Sequence, residues 1–236
     1  MKSSAPKLCK LVCAVAFTLS IFVGHATVII GGDVLNGNFN AGSADGDTTD
    51  DNFQATPGWS NIFGGAPTMQ STRTNLASPD GSRNAVLSLS GDRVFGSELG
   101  LNGYVISAGD TFDVQYEWRD AFNWNDSLDR VGVTLFTTDN DTITGAITEL
   151  IVDFSELSTA NNTYETVDHD AFYTATTGDA GKKLFLYFNG VSGEGSDNNG
   201  FARFDNLTLE VTTGVPEPSS AFLICLAGLC LMRRRR

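Results

Sequence analysis

The sequence predicts an all-β protein, a two-sheet β-sandwich of jelly-roll type, with an N-terminal signal helix and a C-terminal membrane helix at its ends. Three observations carry the expectation. Between residues 27 and 213 apolar and polar residues alternate in short runs. Gly, Asn, Asp and Ser clusters separate those runs, and helical periodicity is scarce. The apolar stretches that do not alternate stand at the two chain ends, each beside a group of basic residues.

At the N-terminus, Lys2, Lys7 and Lys10 precede an apolar stretch over residues 11–23, and Gly24-His25-Ala26 has the small-residue spacing of a signal-peptidase site. Cleavage is expected after Ala26, so that residues 1–26 form a signal peptide and signal peptidase is a partner during export. An uncleaved anchor is the alternative, although the stretch is short for a membrane span. Lys10, Leu11 and Val12 before Cys13 do not make a lipobox.

The strands follow. In residues 111–120, Phe112, Val114, Tyr116 and Trp118 fall on one face and Asp113, Gln115, Glu117 and Arg119 on the other, the two-residue period of a half-buried strand. Comparable segments are 84–90, 129–138, 146–153, 163–174, 182–190 and 201–212. Two shorter ones near the start bring the total to eight or nine. Residues 184–188 are apolar on both faces, as a central strand requires. Spacings too irregular for a propeller or solenoid favour the sandwich.

Charge and cysteine separate the ends from the middle. Seven of the 15 basic residues lie in the two ends; the eight between them share that region with 27 of the 28 acidic residues. So acidic a surface argues against nucleic acid as a partner, because phosphate binding needs a basic patch. Cys9, Cys13, Cys225 and Cys230 all lie in the ends, leaving the middle without a disulfide, a thiol nucleophile or a zinc-thiolate site.

Residues 221–232 form an apolar run of 12, about 18 Å long as a helix against a hydrocarbon thickness of roughly 30 Å, and four arginines close the chain. Arginine marks the cytoplasmic side, as do the lysines before the first apolar stretch, so the acidic middle lies outside. Val215-Pro216-Glu217-Pro218 immediately precedes this helix. Sequence motif, apolar helix and arginine cluster together resemble the PEP-CTERM sorting signal of exported proteins in Gram-negative bacteria, here residues 214–236. The resemblance implies a membrane-embedded protease, exosortase, as partner. The protein would be anchored transiently in the inner membrane and then passed to the cell surface or the extracellular polysaccharide matrix, as in a biofilm. Pro216, Glu217 and Pro218 are its recognition residues, held extended by the two prolines.

The middle region, residues 27–213, carries a second resemblance. "LNGNFNAG", then "TPGWS", and "GFARFDNLTLEV" as the last strand are similar to the galactose-binding-like sandwiches of carbohydrate-binding modules. In that family a Glu after the first motif and an Asp in the last strand often hold a structural Ca²⁺. Asp205 matches the latter, whereas Asn40 stands in place of the Glu. The resemblance thus implies Asp205 as a Ca²⁺ ligand, with a weakened site.

Two further stretches are candidate sites. Asp45, Asp47, Asp50 and Asp51 crowd one loop, either as hard oxygen ligands for Ca²⁺ or as a solvated acidic loop without EF-hand spacing. In "EWRDAFNWND", Phe122 and Trp124 offer flat faces for a sugar ring, and Arg119, Asp120, Asn123, Asn125 and Asp126 offer hydrogen-bonding groups beside them. Trp118 shares the stretch but has the strand parity of a core residue, and Trp59 reads as core too.

Catalysis finds little support. His169 is the only histidine outside the signal segment, which leaves any His-based triad incomplete. The sequence therefore reads as a non-catalytic, exported surface or matrix protein whose sandwich binds polysaccharide. A glycoside hydrolase or lyase on the same fold, and a structural adhesin with no small ligand, are the alternatives.

Overall fold

A computed structural model describes residues 26–40, 58–61, 72–73, 83–88, 95–97, 100–122, 130–155, 163–191 and 201–214. Strands β1 (Ala26–Ile30), β2 (Trp59–Asn61), β3 (Thr72–Arg73), β4 (Arg83–Ser88) and β5 (Phe95–Ser97) are followed by a helical turn, α1 (Gly100–Gly103). Strands β6 (Thr111–Phe122), β7 (Arg130–Thr138), β8 (Ile147–Ser155), β9 (Glu165–Thr174), β10 (Phe185–Val191) and β11 (Phe201–Thr212) complete the described chain.

These strands form two antiparallel sheets. One has the order β3-β4-β11-β6-β9, with β1 also on β11; the other is β2-β5-β10-β7-β8. From β4 onward every connection except the β7–β8 hairpin crosses from one sheet to the other, which is how a jelly roll wraps. The all-β two-sheet sandwich expected from the sequence is the architecture observed. The count is eleven strands among the described residues instead of eight or nine, because β2, β3 and β5 are too short to show alternation.

Alternation places the core. Phe112, Val114, Tyr116 and Trp118 of β6 are buried against Leu184, Leu186 and Phe188 and against Phe204, Leu207 and Leu209 of β11. Strand β10 sits in the middle of its sheet between β5 and β7, and its other face is apolar as well. There Phe185 and Tyr187 pack with Phe136 in a second cluster that Ile143 and Ile147 help cover. Trp59 and Trp118 are both core residues, as their sequence context predicts.

Strand β11 organises the first sheet. Its first half pairs with β4 and its second half with β1 along the same edge, while β6 runs along the other edge throughout. Where β4 gives way to β1 the register shifts between Asp205 and Thr208, and Asn206 takes a left-handed φ of 48°, which Asn tolerates better than most residues. The signal helix and the C-terminal membrane helix lie outside the described residues, among which no helix is long and apolar enough to cross a membrane.

Candidate binding face

The face of the six-stranded sheet turned away from the core carries the polar residues that alternation predicts for β6. Register sets what stands beside them. Along β6 and β11, Arg119 lies opposite Arg203, Glu117 opposite Asp205, Gln115 opposite Thr208, and Asp113 opposite Glu210. From the other side β9 places Thr166 beside Glu117 and Asp168 beside Gln115. Charge therefore runs along this face from two arginines at one end to carboxylates at the other.

The arginine end is covered. Arg119 is 4% exposed and Asp205 0%, with Asn84 and Arg203 also buried. The Arg203 guanidinium donates to Asn84 Oδ1 at 3.3 Å, and that of Arg119 sits 5.2 Å from the centre of the Tyr164 ring. Burial pushes the Tyr164 phenol up to about 12, the positive charge of Arg119 working against it. Below this end, Asn206 links the two central carboxylates: its amide side chain donates to Glu117 Oε2 at 2.6 Å and its backbone N–H to Asp205 Oδ1 at 2.8 Å.

The acidic end is open to a groove of about 210 Å³ lined by Asp113, Val114, Gln115, Asp168, Asp170, Thr208 and Glu210. Gln115 donates to Asp168 Oδ2 at 3.5 Å, a long contact. Asp113 is better fixed, since its Oδ1 accepts the Ala171 N–H at 2.6 Å. Ala171 has a left-handed φ of 49°, and the β6–β9 register slips nearby, between Phe112 and Val114. Asp168 and Asp170, two residues apart on β9, both face the groove by strand alternation. Chemically, it offers carboxylate acceptors, one amide and one hydroxyl, all on strands whose positions the ladders hold.

His169 points the other way, toward the gap between sheets. Its Nδ1 lies 3.4 Å from Asp153 on β8, and its ring packs 5.1 Å from Phe172, so it joins the β9 and β8 edges rather than lying free on a strand surface.

The residues singled out from the sequence divide as follows. Arg119 belongs to the covered arginine end. Asp120 and Phe122 lie on β6, with side chains outside those described, and Asn123, Trp124, Asn125 and Asp126 fall outside the described residues. So do Asp45, Asp47, Asp50 and Asp51, and the sorting residues Pro216, Glu217 and Pro218. Asp205 stands between Glu117 and the Arg203–Asn84 pair. Among the described residues no group of three or more His, Cys, Asp or Glu side chains could hold a metal ion. The groove itself escaped the sequence reading, since its residues come from three stretches, 113–115, 168–170 and 208–210, that only the sheet register unites.

Comparison with known proteins bears on the two parts separately. Residues 214–236 match the PEP-CTERM protein-sorting motif. Comparison with curated proteins gives no match. Among solved structures the chain is similar to an apo-form cyclase from Fischerella sp., 16% identical, with a TM-score of 0.53 over 82% of this chain and 100% of that one. It is similar also to the CBM22-1–CBM22-2 tandem domain of Xyn10C from Paenibacillus barcinonensis, 10% identical, with a TM-score of 0.52 over 84% of this chain and 49% of the tandem. At these identities the likeness is one of fold: the sandwich of carbohydrate-binding modules, shared with cyclases.

Proposed function

We propose that the mature protein is a non-catalytic carbohydrate-binding sandwich at the cell surface or in the extracellular matrix of a Gram-negative bacterium. The sorting motif implies an exported protein processed at the membrane by exosortase. The fold alone does not choose between binding and catalysis, since cyclases and carbohydrate-binding modules both use it. The groove supports the binding reading. Asp113, Asp168, Asp170 and Glu210 accept hydrogen bonds from sugar hydroxyls, while Gln115 and Thr208 can also donate, and charge-assisted contacts of this kind are the stronger ones. Four carboxylates in one groove repel a polyanion, so the ligand is a neutral or amine-bearing polysaccharide.

Retention of the exported chain on a panel of insoluble and gel-embedded polysaccharides tests the reading. Retention by at least one neutral or amine-bearing polymer, weakened about tenfold or more by the Gln115→Ala, Asp168→Ala double variant, is expected. Retention that the double variant leaves intact but Trp124→Ala abolishes would move the site to the aromatic loop. Release of new reducing ends would instead identify a hydrolase.

A further inference from the structure

The last rung of β11 pairs Thr212 with Thr111 on one side and with Ala26 on the other, so both ends of the described chain lie at one pole of the sandwich. Two residues further on, Gly214 is still held. Its N–H donates to Asp110 Oδ1 at 3.3 Å. A Cβ at Gly214 would lie 2.7 Å from the Gly109 carbonyl oxygen and 2.8 Å from the carbonyl carbon, so the approach admits only glycine. Asp110 is itself built in. It is 1% exposed, and its Oδ2 accepts from the Ser107 N–H at 2.7 Å and from the Tyr104 hydroxyl. Backbone bonds from Gly109 N to Ala175 O and from Ala175 N to Asp110 O, both 2.8 Å, brace the loop.

The sorting motif begins at residue 214, so its first residue is part of the folded pole. Between Gly214 and the apolar run that starts at Ala221 stand six residues, at most about 20 Å of extended chain. Until the tail is cut, the domain stays within that distance of the bilayer. An enzyme acting on so short a tether works against this pole.

We infer that the pole formed by residues 104–110 and Gly214 is the surface on which the membrane-embedded sorting protease docks, and that the Asp110–Gly214 latch sets the register at which Pro216-Glu217-Pro218 is presented. The inference rests on the reading of residues 214–236 as a processed tail. A slack tether offers the motif at many heights and angles; a latched one offers it at one.

The test follows tail removal from the full-length chain, by mass, in cells that carry the exosortase. One variant is Gly214→Ala; another inserts six Gly and Ser residues after Gly214, which keeps the latch and adds about 20 Å of slack. Both are expected to lower the processed fraction several-fold while the melting temperature of the domain stays at the parent value. If Gly214→Ala lowers that temperature, the insertion, which alters no domain residue, decides alone. Parent-level processing of the insertion variant would overturn the inference. A parent chain that accumulates uncut, like a variant with Pro216, Glu217 and Pro218 all changed to Ala, would instead sink the tail reading, and the docking surface with it.

Discussion

Gly37 and Leu207 meet backbone to backbone: the Leu207 N–H donates to the Gly37 carbonyl at 2.9 Å, and a Cβ on Gly37 would lie 2.5 Å from the Leu207 carbonyl oxygen. This contact joins the Leu-Asn-Gly-Asn-Phe stretch to the irregular part of β11. Trp59, from the Pro-Gly-Trp turn, joins them. Its ring packs 5.4 Å from that of Phe39, and its N–H points to the Asn36 carbonyl at 3.4 Å. Three stretches distant in sequence thus form one knot. Gly37→Ala forces backbone apart from backbone and breaks the hydrogen bond, at an expected cost of about 2–4 kcal/mol. Urea unfolding of the exported chain measures it, and a loss below about 1 kcal/mol would show that the loop can move aside.

Trp118 and Phe204 stack across β6 and β11, centroids 6.3 Å apart and planes within 14°. Both are fully buried. Trp118→Ala and Phe204→Ala should each destabilise by about 3–5 kcal/mol, and a double-mutant cycle should return a coupling of about 0.5–1.5 kcal/mol for the stacked pair. Additive losses would mean that the rings contribute through burial alone.

What could be read from the sequence follows from how local each signal is. The inward set Phe112, Val114, Tyr116 and Trp118 was legible because strand alternation is a property of adjacent residues. The central position of β10 was legible for the same reason, since only a strand covered on both faces is apolar at Leu184, Phe185, Leu186 and Phe188 alike. Arg119 was readable as outward-facing, but not as covered, because its burial depends on Tyr164, just before β9, and on Arg203 of β11. The groove was illegible altogether. Asp168 and Asp170 share a face by alternation, but setting them beside Asp113, Gln115, Thr208 and Glu210 depends on the pairing of β9 and β11 with β6, and pairing leaves no mark in a single strand's pattern.

Asp179 ties the turn after β9. Burial alone would disfavour its charge. Hydrogen bonds from the Thr176 hydroxyl at 2.6 Å, the Tyr173 hydroxyl at 2.7 Å and the Thr176 N–H at 2.8 Å outweigh that cost and hold its carboxyl below the ordinary value. A depressed folded pKa contributes stability that is present above the unfolded value of about 4 and is lost as pH falls through the folded one. The stability gap between the parent and Asp179→Asn should therefore be fully open at neutral pH and close as the pH falls below about 4. Urea unfolding of both proteins between pH 3 and 7 would check this, and a constant gap would contradict it.

At alkaline pH the tyrosines should dominate. The chain has five, and all are raised above the ordinary value near 10, in each case first by burial. For Tyr187 the hydrogen bond to Glu149 at 2.6 Å adds to burial and pushes the phenol up to about 12; for Tyr173 the bond to Asp179 does the same. A raised folded pKa means that the native state keeps a proton the unfolded state gives up. The stability this represents is complete below about pH 10 and is lost as pH rises toward 12. Because no tyrosine titrates normally, absorbance at 295 nm should show almost no tyrosinate at pH 10.5 in the native protein, but a large signal at the same pH in urea. Tyr187→Phe should flatten the alkaline loss of stability, since it removes one linked proton while leaving the ring that packs on Phe136. A native titration with a normal component near pH 10 would mean that at least one of these phenols reaches solvent.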